Sequence, residues 1–252
     1  MARNRKRRGE GLPVIDLTSM SLKTRNVFVD TPVFFNLNFN FKSAALESLA
    51  ELGACGKAKV LLTKITEGEV EKQVAEAVRM AHAATSNARG EAKILSNIEG
   101  TQFKGLFDRW NQEKVLDEIR GQLKSFQKEA KVTMIPVNNV SVDKVFAKYF
   151  SSKPPFGTTA DKKHEFPDAF VLAGLRDWCK DSDSMTCVIS TDKGVCCSPN
   201  GPLIALTSLA QFLELLQQHA RGEPRLAEIS SSALPGSDRQ SSRSACDSWL
   251  RA

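Results

Sequence analysis

Three short apolar runs constrain this fold more than anything else in the chain. Val27-Phe28-Val29, Val60-Leu61-Leu62 and Cys187-Val188-Ile189 hold no polar residue at all. A strand with one wet face alternates apolar and polar side chains, so runs like these belong to strands covered on both faces. Between them lie stretches with apolar residues at helical spacing. Leu46, Leu49 and Leu52 follow Ser43, Val70, Val74 and Val78 follow Thr66, and Val171 and Leu172 follow Pro167. Leu203-Ile204-Ala205-Leu206 supplies a further strand before a last helix at 209–219, capped by Ser208. Strands alternating with helices predict an α/β fold: a three-layer sandwich around a central, mainly parallel sheet.

The chain has 252 residues, 41% of them apolar, which suits one large domain carrying a helical insertion. We expect a basic flexible arm at 1–24, the domain at 25–222 with its insertion at about 73–150, and a disordered tail at 223–252. Pro32 and the Asn/Phe-rich stretch 36–41 read as a loop. Residues 85–90 read as a break after the helix that starts near Thr66. Helices are expected at 91–98, 103–130 and 143–150, an extended piece at 132–137 and an exposed loop at 151–161.

Charge is uneven. Residues 1–25 hold seven bases and two acids, whereas the rest hold 28 bases and 27 acids. The arm is either a solvated tail or a phosphate-contacting segment. No apolar run approaches the length of a membrane span, and no signal-peptide pattern opens the chain, which suggests a cytoplasmic protein. The six cysteines form no Cys-x-x-Cys pair and there are only three histidines, so a zinc site is not expected. Adjacent Cys196 and Cys197 read as small residues in a reducing compartment.

Chemistry concentrates in carboxylates. Two strands end in aspartate: Val27-Phe28-Val29-Asp30 and Val188-Ile189-Ser190-Thr191-Asp192. Asp168 opens an apolar helix, and Glu67 or Glu69 opens another. Open parallel sheets build sites at the carboxyl ends of their strands, and several hard oxygen donors there suit a divalent cation. Each acid also has an ordinary explanation: an Asx turn for Asp30 and Asp192, and complementation of the helix dipole for the others.

The order of four segments decides between these readings. Val27-Phe28-Val29-Asp30-Thr31, Thr66-Glu67-Gly68-Glu69-Val70, Lys163-His164-Glu165-Phe166-Pro167-Asp168-Ala169 and Val188-Ile189-Ser190-Thr191-Asp192-Lys193 together resemble the PIN-like nucleases, over about residues 25–220. The likeness is greatest to larger bacterial members with a helical insertion. It implies that Asp30, Glu69, Asp168 and Asp192 are both catalytic residues and ligands to Mg2+ or Mn2+. It places Lys163, Glu165, Thr31 and Thr191 around the substrate or behind the ligands. The implied activity is metal-dependent hydrolysis of phosphodiester bonds, by an endoribonuclease on single-stranded or structured RNA, less often on DNA. A toxin or defence effector with an antitoxin or defence-complex partner, or a homodimer, are the implied settings. Pro32 stands where the family usually has a small polar residue, and Gly194 where many members carry another acid. A non-catalytic RNA- or protein-binding PIN-like module is the alternative. A haloacid-type phosphatase needs a second Asp two residues after the first. That place is Pro32, which cannot act as an acid.

Overall fold

The computed structural model describes residues 22–98, 104–156, 165–192, 195 and 201–222. Five strands, β1 (Asn26–Val29), β2 (Lys59–Thr63), β3 (Thr133–Ile135), β4 (Thr186–Ile189) and β5 (Leu203–Leu206), form one sheet in the order β3-β2-β1-β4-β5. Every pairing is parallel, so the sheet is wholly and not just mainly parallel. The chain winds outward from β1 to β3 on one side, then crosses back to lay β4 and β5 on the other. The strand order therefore reverses between β1 and β4, where Val29 stands opposite Ile189.

The apolar runs have no wet face because each residue finds a core. Val27, Val29, Val60, Leu62, Cys187 and Ile189 face one way. They pack with residues of α2 (Ala44–Ala54), α3 (Lys64–Glu91), α5 (Gln112–Glu129) and α8 (Leu209–Gly222). Phe28, Leu61 and Val188 face the other way, against Val171, Leu172 and Leu175 of α7 (Phe166–Asp181). Burying each such side chain contributes roughly 1.5–3 kcal/mol, so the first layer, which meets the larger apolar cluster, is held to the sheet by more apolar surface than the second.

Several local expectations change. Residues 31–36 form a short helix, α1 (Thr31–Asn36), where a loop is expected. Proline is tolerated in a first helical turn, which needs no donor there, and Asp30 caps that turn by accepting from the Thr31 amide. Helix α3 runs unbroken through 85–90. There the Thr85 hydroxyl bonds back to the Ala81 carbonyl and accepts from the Trp110 indole. A 3-10 turn (Lys93–Asn97) and α4 (Lys104–Phe107) replace the helix expected over 91–98 and the start of the one over 103–130. Ser43 occupies the N-cap of α2 but makes no capping bond with its side chain. The Pro154-Pro155 peptide is cis, and Phe156 is buried against Tyr149 and Phe166 instead of sitting in an exposed loop.

Two boundaries shift as well. Leu22 already packs on the first core and Thr24 donates to the Met185 carbonyl, so 22–24 belong to the domain and not to an arm. The span 73–150 is not wholly helical insertion, because β3 lies within it and pairs with β2 as a sheet edge. Residues 1–21 and the tail 223–252 lie outside the described residues. Among the described residues, no helix is long and apolar enough to cross a membrane.

Candidate active site

The carboxyl edge of the sheet carries the acids because four elements begin or end there. β1 ends directly in Asp30. β2 passes into α3 without a linker, with the Thr63 hydroxyl accepting from the Thr66 amide, and this places Glu69 in the second turn. α7 runs back antiparallel to the strands, so its first turn, with Asp168, stands at the same edge. β4 delivers Ser190 and then Asp192. A cleft of about 260 Å³ results, lined by Asp30, Thr31, Pro32, Glu69, Lys72, Gln73, Asp168 and Asp192. It lies at the reversal of strand order, the position at which open α/β sheets bind ligands.

Asp30 is the fixed point of the cleft. It is 6% exposed, and both of its oxygens are held. Oδ1 accepts from the Thr31 amide at 2.9 Å and Oδ2 from the Ser190 hydroxyl at 2.6 Å. The same Ser190 hydroxyl accepts from the Asp192 amide at 3.0 Å, which ties the strand-end acids of β1 and β4 together. Asp192 is exposed and its Oδ1 accepts from the Val195 amide, so it makes a turn and lines the cleft at once. The buried Thr31 hydroxyl donates to Glu69 Oε2 at 2.9 Å and orients that carboxylate.

Electrostatics mark the cleft as short of positive charge. Burial pushes the Asp30 carboxyl up to about 6, helped by the charges of Glu69 and Asp192 and opposed by the Ser190 and Thr31 bonds. Burial pushes Asp168 up to about 7, and the charges of Asp30, Glu69, Asp192 and Glu165 all act in the same direction. Carboxylates that hinder one another's ionisation are relieved by a bound cation. The donors are all oxygen, and so the residues present fit Mg2+ or Mn2+ rather than a soft metal. As placed, no three His, Cys, Asp or Glu side chains among the described residues stand close enough to form a finished metal cage.

A family model of the PIN domain matches residues 27–194. The chain belongs to the PIN domain family. No curated protein and no solved structure matches it.

Within this PIN domain, the structure brings Asp30, Glu69, Asp168 and Asp192 to one cleft. Glu67 points elsewhere: it pairs with Lys64 and accepts from Gln127 at 2.9 Å. Glu165 lies just before α7, near enough for its charge to act on Asp168. Thr191 is exposed, with Asn36 Nδ2 at 3.5 Å from its hydroxyl. Lys163, His164, Lys193 and Gly194 lie outside the described residues. Of the phenylalanines after Asp30, Phe34, Phe39 and Phe41 are core residues and Phe35 is exposed. Sequence reasoning overlooked Lys72, Gln73 and Ser190. Lys72 and Gln73 follow Glu69 by three and four residues, and that helical spacing was the available signal. Ser190 stands two residues before Asp192, but its bond to Asp30 depends on the pairing of β4 with β1.

Proposed function

We propose that this PIN domain is a Mg2+- or Mn2+-dependent nuclease that hydrolyses phosphodiester bonds, with single-stranded or structured RNA as its substrate ahead of DNA. One observation carries the reading. Four carboxylates from four separate elements line a single cleft at the switch point of the sheet, and two of them hold protons well above the usual carboxylate range. Asp30 also caps α1 and Asp192 also closes a turn, but those local roles do not require four acids to meet in one cleft, whereas cation binding does.

Asp30, Glu69, Asp168 and Asp192 would hold the metal. When bound, such ions activate water and offset the charge that builds on a phosphate during in-line displacement. The chain's own residues then divide the remaining work. Ser190 and the Thr31 amide keep Asp30 in one orientation, and the Thr31 hydroxyl does the same for Glu69. Ser190 also links Asp192 to Asp30, so the two strand ends act as one unit. Lys72, on the rim of the cleft, supplies a cation for a substrate phosphate. Half-buried Pro32 and buried Thr31 also line the cleft. Burial of Asp30 keeps bulk water away from the ligand most central to the charge balance.

A second reading, a PIN module that binds RNA or a protein partner without cutting, is favoured by the absence of a finished three-ligand group among the described residues. Incubation of the full chain with labelled single-stranded RNA and Mn2+ separates the two. The nuclease reading expects cleavage that is lost in Asp30→Asn and Asp168→Asn and on chelation. RNA binding without cleavage, together with no metal-induced thermal shift, would establish the second reading instead. A toxin or defence-effector role, with an antitoxin-like partner covering the cleft, extends the first reading. It predicts that induced expression arrests growth in the wild type and not in Asp168→Asn.

A further inference from the structure

A second concave site lies at the far end of α3. It has a volume of about 600 Å³ and is lined by His82, Ser86, Arg89, Gly90, Lys93, Ser96, Phe107, Arg109 and Trp110. Three of these residues are permanent cations and none is an acid. Arg89 is fixed in place by donating to the Asp108 carbonyl at 2.7 Å, which leaves its remaining N–H donors for another acceptor. Lys93 and Arg109 are exposed. Trp110 is anchored by its indole bond to Thr85 and by an edge contact with His82, with ring centroids 5.0 Å apart. Cations beside fixed aromatic rings are what a single-stranded nucleic acid requires: donors for its phosphates and flat surfaces for its bases.

The position of this cleft is as informative as its charge. Helix α3 contributes Glu69 and Lys72 to the active site and His82, Ser86 and Arg89 to the basic cleft. Residues seven apart on a straight helix stay within about 20° of one face, so Lys72, Arg79 and Ser86 form a stripe leading from one site to the other. Arg79 on that stripe is paired with Glu76. From Glu69 to Ser86 the helix advances on the order of 25 Å. A stacked strand rises about 3.4 Å per nucleotide, so roughly seven stacked nucleotides span the distance.

We propose that the cleft around Arg89, Lys93, Arg109 and Trp110 is an anchoring site for single-stranded RNA, holding the backbone several nucleotides away from the bond that is cut. This rests on the nuclease reading for its purpose but not for its binding chemistry. The test uses the full chain carrying Asp168→Asn, with and without Lys93→Glu and Arg109→Glu. Affinity for a fluorescent 15-nucleotide RNA is measured by anisotropy across a salt series without metal. At least a tenfold loss is expected, with the salt slope falling by about 1.4 for two lost phosphate contacts. In the otherwise wild-type chain, cleavage of the 15-mer should fall while cleavage of a tetranucleotide, too short to reach the cleft, stays the same. Unchanged affinity and slope would overturn the anchoring site even if the enzyme cuts RNA. Loss of binding in a protein that cuts nothing would uphold the anchor and reject the nuclease. Displacement of the RNA by an acidic peptide of equal charge at equal concentration would reassign the cleft to a protein partner.

Discussion

Replacing Asp168 by Asn should stabilise the metal-free protein, and by an amount that depends on pH. The side chain makes no hydrogen bond among the described residues, so the substitution removes charge with little change of shape. In the folded chain the carboxyl stays protonated up to about 7, against an ordinary value of 3.8 for a free aspartate. A folded-state pKa raised above the unfolded value means that the native state binds its proton more tightly. The contribution of Asp168 to stability is therefore fully present below about pH 4 and is lost as pH rises toward 7, because ionisation is easier in the unfolded chain. Three pH units correspond to an upper bound of about 4 kcal/mol. Solvent reaching the cleft and the favourable helix dipole at the start of α7 reduce that to about 1–2 kcal/mol. For a chain of this size each kcal/mol moves the melting temperature by about 2–4 °C. Calorimetry in chelator should thus find Asp168→Asn melting several degrees above the wild type at pH 8 and level with it at pH 4. Adding Mn2+ at pH 8 should reverse the order by stabilising only the wild type. An equal difference at both pH values, or none at pH 8, would refute the claim that charge crowding dominates the cleft.

Four further outcomes follow from particular contacts. Ser190→Ala removes the hydroxyl that favours the ionised form of Asp30, so the acid limb of the pH–activity profile should move to higher pH, with a stability loss of about 1.5–3 kcal/mol by denaturant titration. Glu69→Gln should abolish cleavage, whereas Glu67→Gln, at a residue engaged with Lys64 and Gln127, should leave it near wild type in the same assay. Thr31→Val releases Glu69 while keeping the buried shape. It should lower kcat and weaken the Mn2+-induced thermal shift without a large change in melting temperature in chelator. Gly53→Ala would place a Cβ 2.2 Å from the Ala130 carbonyl oxygen, where α2 meets the end of α5. Because that atom is backbone and cannot step aside, a loss of about 1–3 kcal/mol or more is expected by thermal melting.

What the sequence made legible was the part governed by local pattern. The uninterrupted apolar runs located β1, β2, β4 and β5, and the alternation with helices set the layers. Asp30, Glu69, Asp168 and Asp192 could be named from the sequence because each lies within a few residues of the start or end of an element, where the chain meets the edge of the sheet. Harder to read were features that depend on neighbours distant in sequence. α1 looked like a loop because Pro32 disfavours a helix interior, yet a capped first turn accepts it. Residues 85–90 looked like a break because Thr, Ser, Asn and Gly are weak helix formers, but the penalty is only about 0.5–1 kcal/mol each. Packing of Trp110 on Thr85 adds support there. Lys72 and Gln73 looked like any solvated helix face until α1 and α7 closed around them. Ser43 shows the reverse: a residue with the right identity for a cap that makes no capping bond, leaving its buried hydroxyl without a partner among the described residues.

The pairing of β1 with β4 also sets when the cleft can exist. Val27 aligns with Cys187, and the hydroxyl that orients Asp30 belongs to Ser190. During synthesis Asp30 leaves the ribosome 160 residues ahead of that partner. At about 5–20 residues per second the interval is roughly 8–32 s. Throughout it β1 has no β4 beside it and Asp192 has not yet been made. Fragments released by a stalled or aborted ribosome before residue 190 therefore cannot assemble the four acids. A chain able to cut RNA would thus stay harmless to its own message until nearly the whole domain had been translated.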